Sequence, residues 1–140
     1  MSRQLEMARH RLRLAHETLQ EADVLLAASR WRGAVNRLYY AAFCAARALL
    51  ALRDLDSARH SGVIALFQRH FVKTHIIPAE VARTLPRAFE SRQTSDYADT
   101  VAVDERAVRQ LKTEVASFVA ACEHALERLS ANTPERDPVE

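Results

Sequence analysis

AVNRLYYAAFCAARALLAL, residues 34–52, decides the fold. Only Asn36, Arg37 and Arg47 in it are neither apolar nor small, so a helix built from it has almost no face to give to water. Val35, Leu38, Ala42, Ala45, Leu49 and Leu52 follow helical spacing along one side. Asn36, Tyr40, Phe43, Arg47 and Leu50 follow it along a second, and the small row Ala41, Cys44, Ala48 and Ala51 admits another helix at close range. A helix apolar nearly all round is central in its bundle or half of a subunit interface, and in so short a chain a dimer contact through it is expected.

Upstream, Leu5, Ala8, Leu12, Ala15, Leu19, Ala22 and Leu26 alternate steps of three and four, which predicts one amphipathic helix. Its length, on the order of 35 Å, demands a partner of similar length. Ser29, Arg30, Trp31, Arg32 and Gly33 read as the turn into the central helix. Downstream, the polar connector 53–60 leads to a shorter helix carrying Val63, Ile64, Phe67 and Phe71. Pro78 opens a fourth segment, and Pro86 marks a kink or a fresh start within it. Asp104 is placed to cap a last long helix with Val108, Leu111, Val115, Phe118, Cys122, Ala125 and Leu129 on one face. The fold class is therefore all-α: an up-and-down helical bundle of four main helices plus a short helix over residues 1–129, then a tail, 130–140, that reads as disordered.

Composition bounds the function. The 140 residues suit one domain, and two glycines with four prolines supply too few turns for an all-β architecture. Twenty Lys and Arg against eighteen Asp and Glu give +2, so any nucleic-acid site must be local. Cys44 and Cys122 sit in helical patterns and read as reduced core thiols of a cytoplasmic protein. The opening residues have no apolar signal-peptide region, and the most apolar run is interrupted by Arg47, so neither secretion nor membrane spanning is expected. The six histidines show no metal-ligand spacing, and no glycine-rich phosphate loop or nucleophile elbow is present. No cofactor or metal is expected.

Two clusters carry chemistry. Along the fourth segment the inward row Leu85, Phe89, Arg92, Asp96, Asp99 turns from apolar to charged without changing face. Arg92 and Asp96, expected to be a strongly non-additive pair, would line a groove beside Tyr97. At the start of the central helix, Asn36, Arg37 and Tyr40 suit an anion, or Arg37 pairs with a carboxylate such as Asp96. His60 stands at a helix entrance, where local capping is the simplest role.

Taken in order, Ala34-Val35-Asn36-Arg37-Leu38 with Tyr40-Ala41-Ala42-Phe43, then His60-Ser61-Gly62-Val63-Ile64 with Phe71-Val72-Lys73, then Arg92-Gln93-Thr94-Ser95-Asp96-Tyr97, resemble the HEPN family (higher eukaryotes and prokaryotes nucleotide-binding), small stand-alone type. The resemblance implies a homodimeric bundle working with a minimal nucleotidyltransferase, as the HEPN half of a toxin-antitoxin or nucleotide-binding module. It places the ligand-binding groove at Asn36, Arg37, Tyr40, Arg92, Asp96 and Tyr97, with nucleotide or RNA as ligand. The family's metal-independent ribonucleases use an Arg followed four to six residues later by His: the His moves a proton while the Arg stabilises charge on the phosphate. Here Asp96 stands where that His is sought, so weak or absent cleavage is expected, with Arg92 and His60 as the catalytic candidates. Arg53 and His60 have a similar spacing but bracket the connector. An active RNA endonuclease and a structural helical adaptor without a nucleotide site are the alternatives.

Overall fold

The computed structural model describes residues 2–97 and 104–132. Its helices are α1 (Arg3–Ala27), α2 (Trp31–Leu52), α3 (His60–Phe67), α4 (Ala79–Ala82), α5 (Thr84–Tyr97) and α6 (Glu105–Asn132), with α3 running on into a π-helical turn, Gln68–Val72. Among the described residues there is no strand. Four longer helices, α1, α2, α5 and α6, form the all-α bundle, and α3 and α4 fill the crossing between α2 and α5.

Ser2 opens α1, its hydroxyl accepting from the Leu5 N–H at 3.0 Å. The helix buries Ala8, Leu12, Ala15, Ala22 and Leu26 as the periodicity predicts, together with Thr18, whose hydroxyl donates to the Leu14 carbonyl at 2.7 Å. The reversal into α2 is made by Ser29 in the left-handed region, φ 58°. Gly33, read as a turn residue, lies inside α2 instead. A Cβ there would stand 3.3 Å from Leu25 Cδ1, so Gly33 permits α1 and α2 to approach closely.

α2 is the central helix, packed on α1, α3, α5 and α6. Its saturated composition is thus satisfied within one chain, and the contact between copies expected through it is not required. The least covered row of α2 is Asn36, Arg37, Tyr40, Cys44 and Arg47, all half-buried. This row floors the candidate site.

Pro86 marks a fresh start, because α4 ends at Ala82 and Pro86 falls in the first turn of α5, where its missing N–H costs nothing. Asp104 caps α6 as expected, Oδ1 accepting from the Arg106 N–H at 3.1 Å. The predicted α6 row through Ala125 is buried, with Val119 and Leu126 beside it. α6 continues through Asn132, past the expected end at Leu129, and residues 133–140 of the expected tail lie outside the described residues. Both cysteines are free thiols; Cys122 is buried and Cys44 half-buried, and burial pushes both thiols up from their ordinary pKa.

Candidate functional site

Three helices meet around Tyr39. Its ring is fully buried on α2, and its hydroxyl is hydrogen-bonded to Nδ1 of His60, the first residue of α3. The His60 ring stacks on Phe43 with centroids 4.6 Å apart and planes 16° from parallel. From α5, Phe89 packs on Tyr39 at 5.5 Å. One turn on, Arg92 lays its guanidinium 5.1 Å from the centroids of both Tyr39 and Tyr40. Arg32 holds α5 in this position by donating to the Ser95 carbonyl. The Arg92 Nε is buried without a hydrogen-bond partner; Asp96 Oδ2, 3.6 Å away, is close enough for charge attraction but too far for a hydrogen bond.

Burial, then the charges of Arg92 and Arg47, hold His60 below its ordinary pKa, and burial raises the Tyr39 hydroxyl. The Tyr39 oxygen and His60 Nδ1 share one hydrogen bond: with the Tyr39 O–H donating, the proton of the neutral imidazole sits on Nε2, and with Nδ1–H donating, Nε2 is bare. In the first tautomer Nε2–H is a donor, and in the second the bare Nε2 can abstract a proton.

The depressed His60 has a consequence for stability. Below the ordinary value of 6.5 the unfolded chain binds more proton than the folded one, so this contribution is complete above 6.5 and is lost as pH falls through that value toward the folded pKa. Thermal midpoints measured from about pH 7.5 down to about 5.5 are expected to fall more steeply for the wild type than for His60→Gln.

The site continues along α2 to Arg47, which lies over Phe43 at 5.7 Å and donates through Nε and Nη2 to the two Asp56 oxygens at 3.3 and 2.8 Å. Arg11 of α1 reaches the same carboxylate at 3.4 Å and the Arg47 carbonyl at 3.2 Å. Hydrogen bonding from Arg47 holds Asp56 below the usual carboxylate range, and burial together with Arg47 lowers Arg11. Ser57 shapes the loop: its N–H donates to Asp56 Oδ1 at 2.8 Å and its Oγ accepts from the Arg59 N–H at 3.2 Å. The result is an open pocket of about 530 Å³ lined by Phe43, Arg47, Asp56, Ser57, Ala58 and His60.

The expected groove is therefore partly assembled and partly rearranged. Arg92 and Tyr40 come together, and His60 joins them through Tyr39. Arg37 pairs with Glu21 at 3.3 Å rather than with Asp96, donates to Asn36 Oδ1 at 3.2 and 2.7 Å, and covers Tyr40 at 5.0 Å. Because α2 begins at Trp31, Asn36 and Arg37 stand in its second turn and do not form the expected helix-end anion site. Arg53 lies over Phe71, so the cations acting on His60 are Arg92 and Arg47. Nor does His60 cap α3, where Ser57 supplies the turn chemistry.

On α5 the buried row is Leu85, Ala88 and Ser95, with Arg92 half-buried and Asp96 exposed, so only Arg92 brings charge toward the core. The Tyr97 side chain and Asp99 lie outside the described residues. With the Asp96 side chain 49% exposed, removing Arg92 strands no buried charge. A double-mutant cycle of Arg92→Ala and Asp96→Ala is expected to show coupling of only about 0.3–0.5 kcal/mol, in place of the strong non-additivity an inward pair would give.

Tyr39 and Asp56 escaped sequence reasoning as site residues, and Phe43 and Arg47 were placed only in a packing row. Tyr39 falls outside the three helical rows of α2, and its one available signal is the adjacency of two tyrosines in an otherwise alanine-rich helix.

Among the described residues, no group of His, Cys, Asp and Glu could hold a metal ion, and no helix is long and apolar enough to cross a membrane. A family model described as the HEPN domain matches residues 8–125. A Thermotoga maritima UPF0332 protein is 40% identical over 117 residues, covering 84% of this chain and 89% of the relative. Two Methanocaldococcus jannaschii proteins, each named a "putative toxin", are also similar. One is 31% identical over 84% of this chain and 87% of its own length; the other is 30% identical over 69% of this chain and 66% of its own. The family model spans most of the chain and the Thermotoga maritima relative most of both sequences, and the chain belongs to the HEPN family.

Proposed function

We propose that this chain is the HEPN half of a toxin-antitoxin or nucleotide-binding module, paired with a minimal nucleotidyltransferase in the cytoplasm, and that it holds a nucleotide or RNA phosphate against Arg92. The observation that carries this reading is the Arg92 guanidinium, held over two tyrosine rings with a buried Nε that lacks a hydrogen-bond partner. A positioned cationic fork with a spare donor matches what phosphate oxygens accept. The names of the two Methanocaldococcus jannaschii relatives support a toxin role, and the family resemblance supports the nucleotidyltransferase partner.

The acting form is proposed to be a homodimer. Met7 and Leu14, one heptad apart on α1 and exposed, flank Arg11 at the edge of the site and offer an apolar row for a second copy. Sedimentation of the purified protein at micromolar concentration is expected to show a dimer; a monomer would remove this part of the reading.

Ribonuclease activity of the isolated protein is expected to be weak or absent. Asp96 stands where the family His is sought, and the Tyr39 bond already engages one of the two His60 ring nitrogens. The active endonuclease is the second reading, favoured by the placement of His60 within the field of Arg92. Both are tested by incubating wild type, Arg92→Ala and His60→Ala with a generic RNA pool without metal, measuring binding and cleavage. Binding lost in Arg92→Ala with little cutting throughout supports the proposal. Unchanged binding in Arg92→Ala would sink it, whereas strong wild-type cleavage abolished by both substitutions would establish the endonuclease.

A further inference from the structure

The pocket lined by Phe43, Arg47, Asp56, Ser57 and His60 sets one arginine and one imidazole beside a single carboxylate. The Asp56 oxygens already accept from Arg47, Arg11 and the Ser57 N–H, so this carboxylate has little capacity left to read a donor on a ligand. Arg47 is clamped through Nε and Nη2, which fixes the plane of its fork and leaves Nη1 uncommitted. His60, with Nδ1 taken by Tyr39, has Nε2 as its remaining ring nitrogen, a donor when the Tyr39 O–H donates to Nδ1.

Charge points the same way. Arg11 and Arg47 share one carboxylate at partly buried positions, and Arg47 disfavours the charge on Arg11. Arg92 adds a third positive centre near enough to act on His60, and its own carboxylate partner, Asp96, is half in water. Positive potential here is under-compensated, and an incoming anion relieves repulsion that the protein carries when empty.

We propose that this pocket is a second phosphate subsite, separate from the Arg92 guanidinium, in which Arg47 and the His60 Nε2–H hold the phosphoryl group of a free nucleotide or of an RNA end. It rests on the reading that the groove binds nucleotide or RNA, and it adds where a second phosphate sits and which groups receive it. Phe43, stacked on His60 and covered by Arg47, keeps both donors in register.

The test uses the full chain, following the His60 imidazole resonances and the affinity while titrating inorganic phosphate, adenosine monophosphate, and one short RNA bearing either a 5′-phosphate or a 5′-hydroxyl. Phosphate is expected to move the His60 Nε2–H signal, and Arg47→Gln to weaken phosphate and mononucleotide binding by about tenfold or more. Arg11→Gln, which leaves the Arg47–Asp56 clamp in place, is expected to weaken them less and serves if Arg47→Gln fails to fold. Tighter binding of 5′-phosphorylated than 5′-hydroxyl RNA assigns the subsite to an RNA end, and mononucleotide binding as tight as that of the phosphorylated RNA assigns it to a free nucleotide. Phosphate that leaves His60 unmoved, with Arg47→Gln binding as wild type while Arg92→Ala fails to bind RNA, overturns the subsite and leaves the proposed function standing. Binding retained in both variants removes both.

Discussion

Replacing Phe67 with alanine is expected to cost about 3–5 kcal/mol of stability. Phe67 is 1% exposed and its ring lies 5.6 Å from Phe71 and 5.5 Å from Phe118, so one side chain fastens α3, the π-helical turn and α6 together. α3 is short and has no side-chain cap, so it is held by its buried side chains, Phe67 and Val63, and by its packing on α2. Because His60 begins α3, loosening that hold also withdraws the imidazole from Tyr39. Denaturant unfolding should show a lower midpoint with an unchanged slope; a loss below about 1 kcal/mol would mean that α3 is held elsewhere.

Gly62→Ala is expected to destabilise by about 1–3 kcal/mol through overpacking. The new methyl would lie 2.0 Å from Ser57 Oγ and 2.8 Å from Ser57 Cβ. Rotating the hydroxyl relieves the first contact but not the second, so the loop that presents Asp56 has to move. The Asp56 clamp on Arg47 should loosen with it. Adding Ser57→Gly removes both contacting atoms, and recovery of stability in the double variant would identify the contact as the cause. Wild-type stability in Gly62→Ala alone would contradict this packing.

The long helices were legible because their burial is periodic and local: the α1 row from Ala8 to Leu26 and the α6 row from Val108 to Ala125 are buried as spaced. The start of α2 was misread because a glycine after a polar run resembles a turn. Ser29 takes the left-handed conformation instead, leaving Gly33 free to serve helix packing. The site was legible one residue at a time and illegible as a set. Arg92 stood out as a charge on an inward row and His60 as a helix opener, but the residue touching both, Tyr39, belongs to none of the three rows of α2. Asp56 looked like connector polarity until tertiary contact placed two arginines on it. Such convergence depends on how helices cross, which spacing along one helix does not encode.

Tyr39 divides two duties within one side chain: the ring belongs to the core, and the oxygen belongs to the site. Deleting that oxygen leaves the aromatic packing and the Arg92 guanidinium over the ring in place and removes the hydrogen bond to His60. The bundle is therefore evolvable at little structural cost. The Tyr39 hydroxyl, His60 and Arg92 can change while the helices pack as before, so a shared fold among relatives says little about whether the proposed ligand site persists in them.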